Sequence, residues 1–171
     1  MKGGINIYNY YNRFNSQQIN QPVTQIRDYG PYPIVFNMKE MTLKNTNYRS
    51  TLWTGNHLQL TLMSIRVGGD IGFEIHPDVD QFIRIEGGNG VVLMGDSREI
   101  MNIQENVSDN MAFIIPAGKW HYVINTGNNA LKLYSIYAPV QHPHGTVQQT
   151  KEIAQLQEDH SNRYYYKNSS Y

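Results

Sequence analysis

The chain has 171 residues, no cysteine, and 14 basic side chains against 14 acidic ones. Without thiols it has no disulfides, cysteine zinc sites, iron–sulfur ligation or thiol nucleophile, and its balanced charge offers no footprint for nucleic acid or an anionic membrane. The length suits one domain with chain left over for tails. The opening "MKGGINIYNYYNRF" lacks the apolar core of a signal peptide, and no apolar run approaches a membrane span, so a soluble protein not exported by a cleaved signal is expected.

Taken in chain order, residues 1–33 are rich in Asn, Gln and Tyr and show no apolar period, which reads as a polar arm. "DYGPYP" (Asp28–Pro33) breaks any regular element. From Ile34 the texture changes to short β-branched and aromatic stretches punctuated by Gly, Asn, Asp and Pro. "HLQLTLMSIRV" alternates for eleven residues, with Leu58, Leu60, Leu62 and Ser64 opposite His57, Gln59, Thr61 and Met63. "FIRIEGGNGVVLMG" reads as strand, glycine turn and strand; "AFIIPAGKWHYVIN" and "LKLYSIYAP" repeat the pattern. Many short strands at close spacing predict an all-β antiparallel sandwich or barrel over residues 34–146. Only "VQQTKEIAQLQEDH" (Val147–His160) looks helical, with Ile153 and Leu156 on one side. Residues 147–171 thus form a short helix and a tail. Of the 13 tyrosines, four sit in the last eight residues and three in the first eleven, which concentrates them outside the expected barrel.

Two stretches carry chemistry. In "GGDIGFEIHPDVDQFIRIEGGNG", Glu74 and His76 are two apart and share one face of a strand. Pro77 and the turn that follows reset parity, so Gln81 can face the same interior, with Asp80 as its rival if parity slips by one. In "PAGKWHYVIN" a Pro-Ala-Gly turn leads into a strand bearing His121. Glu74, His76, Gln81 and His121 together offer two imidazoles and two oxygens. That set suits a borderline divalent ion such as Zn, Fe, Mn, Co or Ni, with one or two positions left for water or substrate. Glu74 is also a candidate catalytic base. His57, and His142 and His144 in "QHPHG", are candidates to stand near the metal without ligating it. Arg66 and Arg84 read as outward strand charges, and "GGNG" lacks the strand-to-helix setting of a phosphate loop.

These residues resemble the two motifs of the cupin family. The second motif is matched by Pro116, Gly118, His121 and Asn125, with Asn110 where the family has its opening glycine. The first is matched in frame by Gly68, His76 and Gly88, with Glu74 at the first histidine and Gln81 at the glutamate. One substitution adds a negative charge and the other removes one, so the total ligand charge is unchanged. The resemblance spans roughly Leu52 to Pro139. It continues more loosely through "YAPVQHPHGTVQQTKEIA", which is similar to small one-domain cupins of the mannose-6-phosphate-isomerase-like group. It implies a jelly-roll barrel with a central divalent metal, a small-molecule ligand or substrate and a homodimer.

Two functions follow as expectations. One is a metal-dependent cupin with sugar-phosphate-isomerase-like or oxygenase-like chemistry in the cytoplasm. A phosphosugar would need Lys or Arg at the barrel mouth, and the core strands offer few inward candidates. The other is a binding or structural cupin of the endospore-coat type, assembled through its tyrosine-rich tails. Fold alone does not separate the two.

Overall fold

Strands and two short helices carry residues 25–157, the part of the chain that the computed structural model describes. The tyrosine clusters at both ends lie outside these described residues. The elements in chain order are helix α1 (Met38–Lys44), then β1 (Arg49–Thr54), β2 (Gln59–Ile65), β3 (Asp80–Gly87), β4 (Asn89–Gly95), β5 (Ile103–Ser108), β6 (Ala112–Ile115), β7 (Trp120–Asn125), β8 (Leu131–Ala138) and β9 (Val147–Gln148). Helix α2 then runs from residue 151 to the last described residue, 157.

The strands form two antiparallel sheets, a six-stranded one in the order β6-β3-β8-β2-β1-β9 and a three-stranded one in the order β5-β4-β7. Residues 70–76 run along the free side of β7, bridged at Asp70–Ile124 and Glu74–His121. The antiparallel β-sandwich expected from the strand spacing is therefore present.

Between the sheets lies an apolar cluster that includes Ile65, Ile83, Ile85, Leu131 and Leu133 from the large sheet and Val92, Val107 and Val123 from the small one. A second cluster lies on the large sheet, where Met41 of α1 packs with Leu52, Leu60 and Leu62, joined by Ile26, Tyr29 and Phe36. The middle of the large sheet is thus buried on both faces. Alternation in β2 consequently sorts side chains between two interiors, rather than between core and water. Each fully buried Leu or Ile stabilises the fold by about 1.5–3 kcal/mol.

Three differences from the sequence reading have local causes. Helix α1 was not anticipated, because seven residues show too little period. It is fixed by its Asn37 cap, whose side chain accepts the Glu40 N–H at 3.0 Å, and by the Glu40–Lys44 pair at 2.6 Å. The C-terminal helix starts later than Val147, because Val147 and Gln148 pair with Ser50 and Arg49 as β9. The Thr150 hydroxyl then accepts the Ile153 N–H at 3.4 Å, and its carbonyl accepts the Ala154 N–H at 3.2 Å. Ala154 is the buried residue of that helix, and Leu156 is 61% exposed. Finally, the stretch read as a polar arm to residue 33 is packed at its end, through Ile26 and Tyr29.

Candidate metal centre

The inward rows of the sheets bring the predicted residues together. Gln81 on β3 pairs with Tyr137 on β8, which pairs in turn with Gln59 on β2, so these three lie at one level of the barrel. Thr61 and Ser135 form the next level. Gln81 is buried and Asp80 is exposed, which settles the parity in favour of Gln81. Asp80 instead accepts the Ala117 N–H at 2.9 Å and steadies the Pro-Ala-Gly turn. That turn needs Gly118, whose φ is +76°. Asn110, standing where the second motif opens with glycine, also has a positive φ of 69°, and asparagine tolerates that region better than most side chains.

Three backbone bonds align the ligand strands. The Glu74 and His121 backbones exchange hydrogen bonds at 3.0 and 2.9 Å, and the Gly118 N–H donates to the His76 carbonyl at 2.8 Å. Asn125 holds the far end of β7. Its side-chain amide donates to the Ile65 and Asn129 carbonyls at 2.9 and 2.8 Å, and its oxygen accepts the Gly127 N–H at 2.9 Å.

Glu74, His76 and His121 offer one ligand atom each, all within 4.8 Å of one another, a group that could hold a metal ion. Glu74 Oε2 lies 3.5 Å from His121 Nε2 and 3.7 Å from His76 Nε2. Donors bound at about 2.0–2.2 Å around one ion sit roughly this far apart. The chemistry of the donors also fits. The Nε2 atoms of His76 and His121 and the Oε1 of Gln81 are buried and have no hydrogen-bond partner, whereas buried polar atoms are nearly always paired. The other ends of two of these side chains are fixed: His121 Nδ1 faces the Lys119 carbonyl at 3.3 Å, and Gln81 Nε2 donates to Ser135 Oγ at 3.2 Å. A protonated Nδ1 leaves the Nε2 lone pair free to ligate.

Arg49, the first residue of β1, was not among the residues the sequence singled out. It is 1% exposed and reaches Glu74 Oε1 at 3.0 Å and Gln148 Oε1 at 3.1 Å. Burial alone would raise the Glu74 pKa. The imidazoles of His121 and His76 and the charge of Arg49 outweigh it and hold the carboxyl well below the usual 4.5. No short-range pattern marks Arg49, because its pairing with Glu74 forms only when β1 is folded beside the ligand segment.

The remaining histidines separate clearly. His57 is exposed in the β1–β2 turn, and His144 is exposed beside Asp28 at 3.5 Å, so neither reaches the centre. His142 does approach it. Its ring stands edge-on to Tyr137 at 5.2 Å, Tyr137 stands edge-on to His76 at 5.6 Å, and His76 lies 5.3 Å from His121. Gln59 pins the segment that carries His142: its amide donates to the His142 carbonyl at 2.7 Å, and its oxygen accepts the His142 N–H at 2.8 Å. Burial, assisted by the charge of Arg49, pushes the His142 pKa down to about 3. Burial pushes the Tyr137 pKa up to about 12. Both side chains are therefore neutral near pH 7.

Two antiparallel sheets with a Glu/His/His group at one end of their interior define a cupin architecture. The Cupin domain family matches residues 61–137, and the chain belongs to the cupin family. It is 58% identical over 134 residues to YrkC of Bacillus subtilis, covering 78% of this chain and 72% of that protein. It is 46% identical over 114 residues to L612 of Acanthamoeba polyphaga mimivirus, covering 66% and 69% respectively. Among solved structures, BH2720 from Bacillus halodurans is 58% identical, with a TM-score of 0.76 over 77% of this chain and 99% of that one. TT1209 from Thermus thermophilus shares the fold at 20% identity and a TM-score of 0.53, covering 61% of this chain and 96% of its own.

Proposed function

We propose that this cupin binds one divalent transition metal, from Zn, Fe, Mn, Co or Ni, through Glu74, His76 and His121, with the Gln81 amide oxygen as fourth ligand. A small polar molecule is held at the position left open. The observation that carries this reading is the group formed by Glu74, His76 and His121, whose ligand atoms all lie within 4.8 Å of one another, with the Nε2 atoms of both histidines buried and without a hydrogen-bond partner. When bound, the metal would polarise an oxygen of that molecule, as either an isomerase-like or an oxygenase-like reaction requires.

The chain's own residues do the rest. Arg49 engages Glu74 Oε1 and leaves Oε2 facing the imidazoles. Both carboxylate oxygens are thereby committed, so Glu74 serves as ligand rather than as free base. Lys119 and Ser135 orient His121 and Gln81. The coat-assembly alternative rests on tails outside the described residues. The reading keeps the cytoplasm as the setting and a homodimer as the working form. Exposed Ile103, Met111 and Ile114 on and between the edge strands β5 and β6 support the dimer. Among the described residues, no helix is long and apolar enough to cross a membrane.

Elemental mass spectrometry on protein purified without chelator or metal resin tests the centre. About one transition metal per chain is expected in the wild type, with loss in His121→Ala. No metal in the wild type, and none taken up on addition, would overturn the reading.

A further inference from the structure

We propose that a cleft at the end of the barrel away from the metal centre binds a neutral carbohydrate. This is a second site, and it does not depend on the metal reading above. The cleft has a volume of about 460 Å³, within the roughly 300–1,000 Å³ of small-molecule sites. It lies where the end of β2 and the turn at residues 66–69 face α2 and the residues leading into it. Asp70 also lines it. Asp70 bridges to Ile124 and Glu74 to His121, and the buried Ile71 and Val123 stand between those two bridges. Both belong to the apolar cluster between the sheets, which therefore separates the cleft from the metal centre.

Two observations point to the ligand class. The first is the polar lining. Its charged side chains are two basic and two acidic, and they pair with one another: Arg66 with Glu152 at 3.6 Å, and Lys151 with Asp70. No charge is left over to select a phosphate or a carboxylate. What remains is neutral hydrogen-bonding surface. The side chains of Thr46, Ser64, Gln149 and Gln155 line the cleft, and none of them is hydrogen-bonded among the described residues. Two hydroxyls and two carboxamides supply both donors and acceptors. Sugar hydroxyls, each of which also donates and accepts, are their complement.

The second is the aromatic surface that adjoins the cleft. Asp70 accepts a hydrogen bond from the Tyr122 hydroxyl. Tyr122 stacks on Phe73, with ring centroids 4.6 Å apart and planes 21° apart. Phe73 is 44% exposed. The lining thus passes, through Asp70 and Tyr122, to a phenyl ring open to solvent. A pyranose carries hydroxyls around its edge and C–H bonds on its faces. It suits a site that sets an aromatic surface beside neutral polar groups, which is the combination present here. The two parts are held in register by the Asp70 carboxylate, which also accepts the Gly72 N–H at 2.6 Å.

The test is an amide NMR titration of the full chain, as purified and again after treatment with chelator. Cellotriose, maltotriose and N-acetylchitotriose are the probes. Glucuronate and an N-acetylated triglycine amide are the charged and the non-sugar controls. Saturable shifts centred on Gly68, Gly69 and Gln155 are expected with at least one trisaccharide, with a Kd on the order of 1 mM, and none with the controls. Chelation should leave them unchanged. Ser64→Ala and Gln155→Ala should each weaken binding about fivefold, and Phe73→Ala by about as much. None of these side chains is buried, and a dispersed spectrum verifies that each variant is folded. Saturable shifts with none of the three sugars overturn the proposal, as does an equal response to either control. Binding that disappears on chelation places the sugar on the metal and overturns the second site. Full affinity in both Ser64→Ala and Gln155→Ala overturns the seat in the cleft, and full affinity in Phe73→Ala overturns its aromatic end.

Discussion

The two halves of the barrel interior are built from the same strands and opposite chemistry. Along β2 the inward row runs Gln59, Thr61, then Met63, Ile65; along β8 it runs Tyr137, Ser135, then Leu133, Leu131. On β3, Gln81 gives way to Ile83 and Ile85, and on β7 His121 gives way to Val123. The switch falls at a similar level on neighbouring strands, because antiparallel register locks those levels together. The apolar half stabilises the fold through close packing. The polar half holds buried groups whose partners are incomplete in the protein alone, which is the condition for binding something else.

The largest expected effect comes from breaking the polar half at Arg49. Arg49→Met strands the buried Glu74 carboxylate and should destabilise the metal-free protein by about 3–5 kcal/mol in urea unfolding. Adding Glu74→Gln should recover much of that loss, giving a strong coupling in the double-mutant cycle. If the two single effects simply add, the pair is not the organising interaction of this end.

Leu133→Ala is the matching cut in the apolar half. Leu133 is fully buried, and the cavity should cost about 2–5 kcal/mol. Metal per chain in the folded protein should be unchanged, which separates the stabilising half from the binding half. A third substitution, Gln81→Leu, makes one polar position apolar. It should weaken metal affinity about tenfold or more, while the unfolding midpoint of the metal-free protein holds or rises, because a side chain with an unpartnered oxygen is removed. Unchanged metal affinity would remove Gln81 from the ligand set.

The sequence carried the fold and most of this polar end because both depend on short-range spacing. Alternation marks strands, and the two-residue step from Glu74 to His76 puts both on one face whatever surrounds them. The parity of Gln81 across the "PDVD" turn also came through. Arg49 did not, because its meaning is entirely tertiary. It lies 25 residues before Glu74, and nothing in "NYRSTLWT" distinguishes an inward arginine from an outward one. The same holds for the choice of His142 over His144. Two residues apart, they differ only in which of them Gln59 and Tyr137 draw inward. Alternation in β2 separates two faces without saying what covers each, and residues 25–44 cover the face that carries Leu60 and Leu62.

The smallest expected effect lies at the rim of the polar half, where Asp28 ties the N-terminal packed segment to the loop carrying His142. Its carboxylate accepts the Thr54 hydroxyl at 2.5 Å, the Gly30 N–H at 2.9 Å and the Gly145 N–H at 3.1 Å. Burial pushes the Asp28 pKa up, but these hydrogen bonds outweigh it and hold the group below the ordinary 3.8. A carboxyl whose folded pKa is depressed binds protons less readily in the native state than in the unfolded chain. Its stabilisation is therefore full above the unfolded value and lost as pH falls through the folded one. Asp28→Asn should lower stability by about 1 kcal/mol near pH 7. The gap between the two unfolding midpoints should stay constant down to about pH 5 and close below 3.8. A gap that does not narrow at all as pH falls below 3.8 would mean that the contact depends on shape rather than charge. The loop bearing His142 would then be held mainly by Gln59, from within the polar half itself.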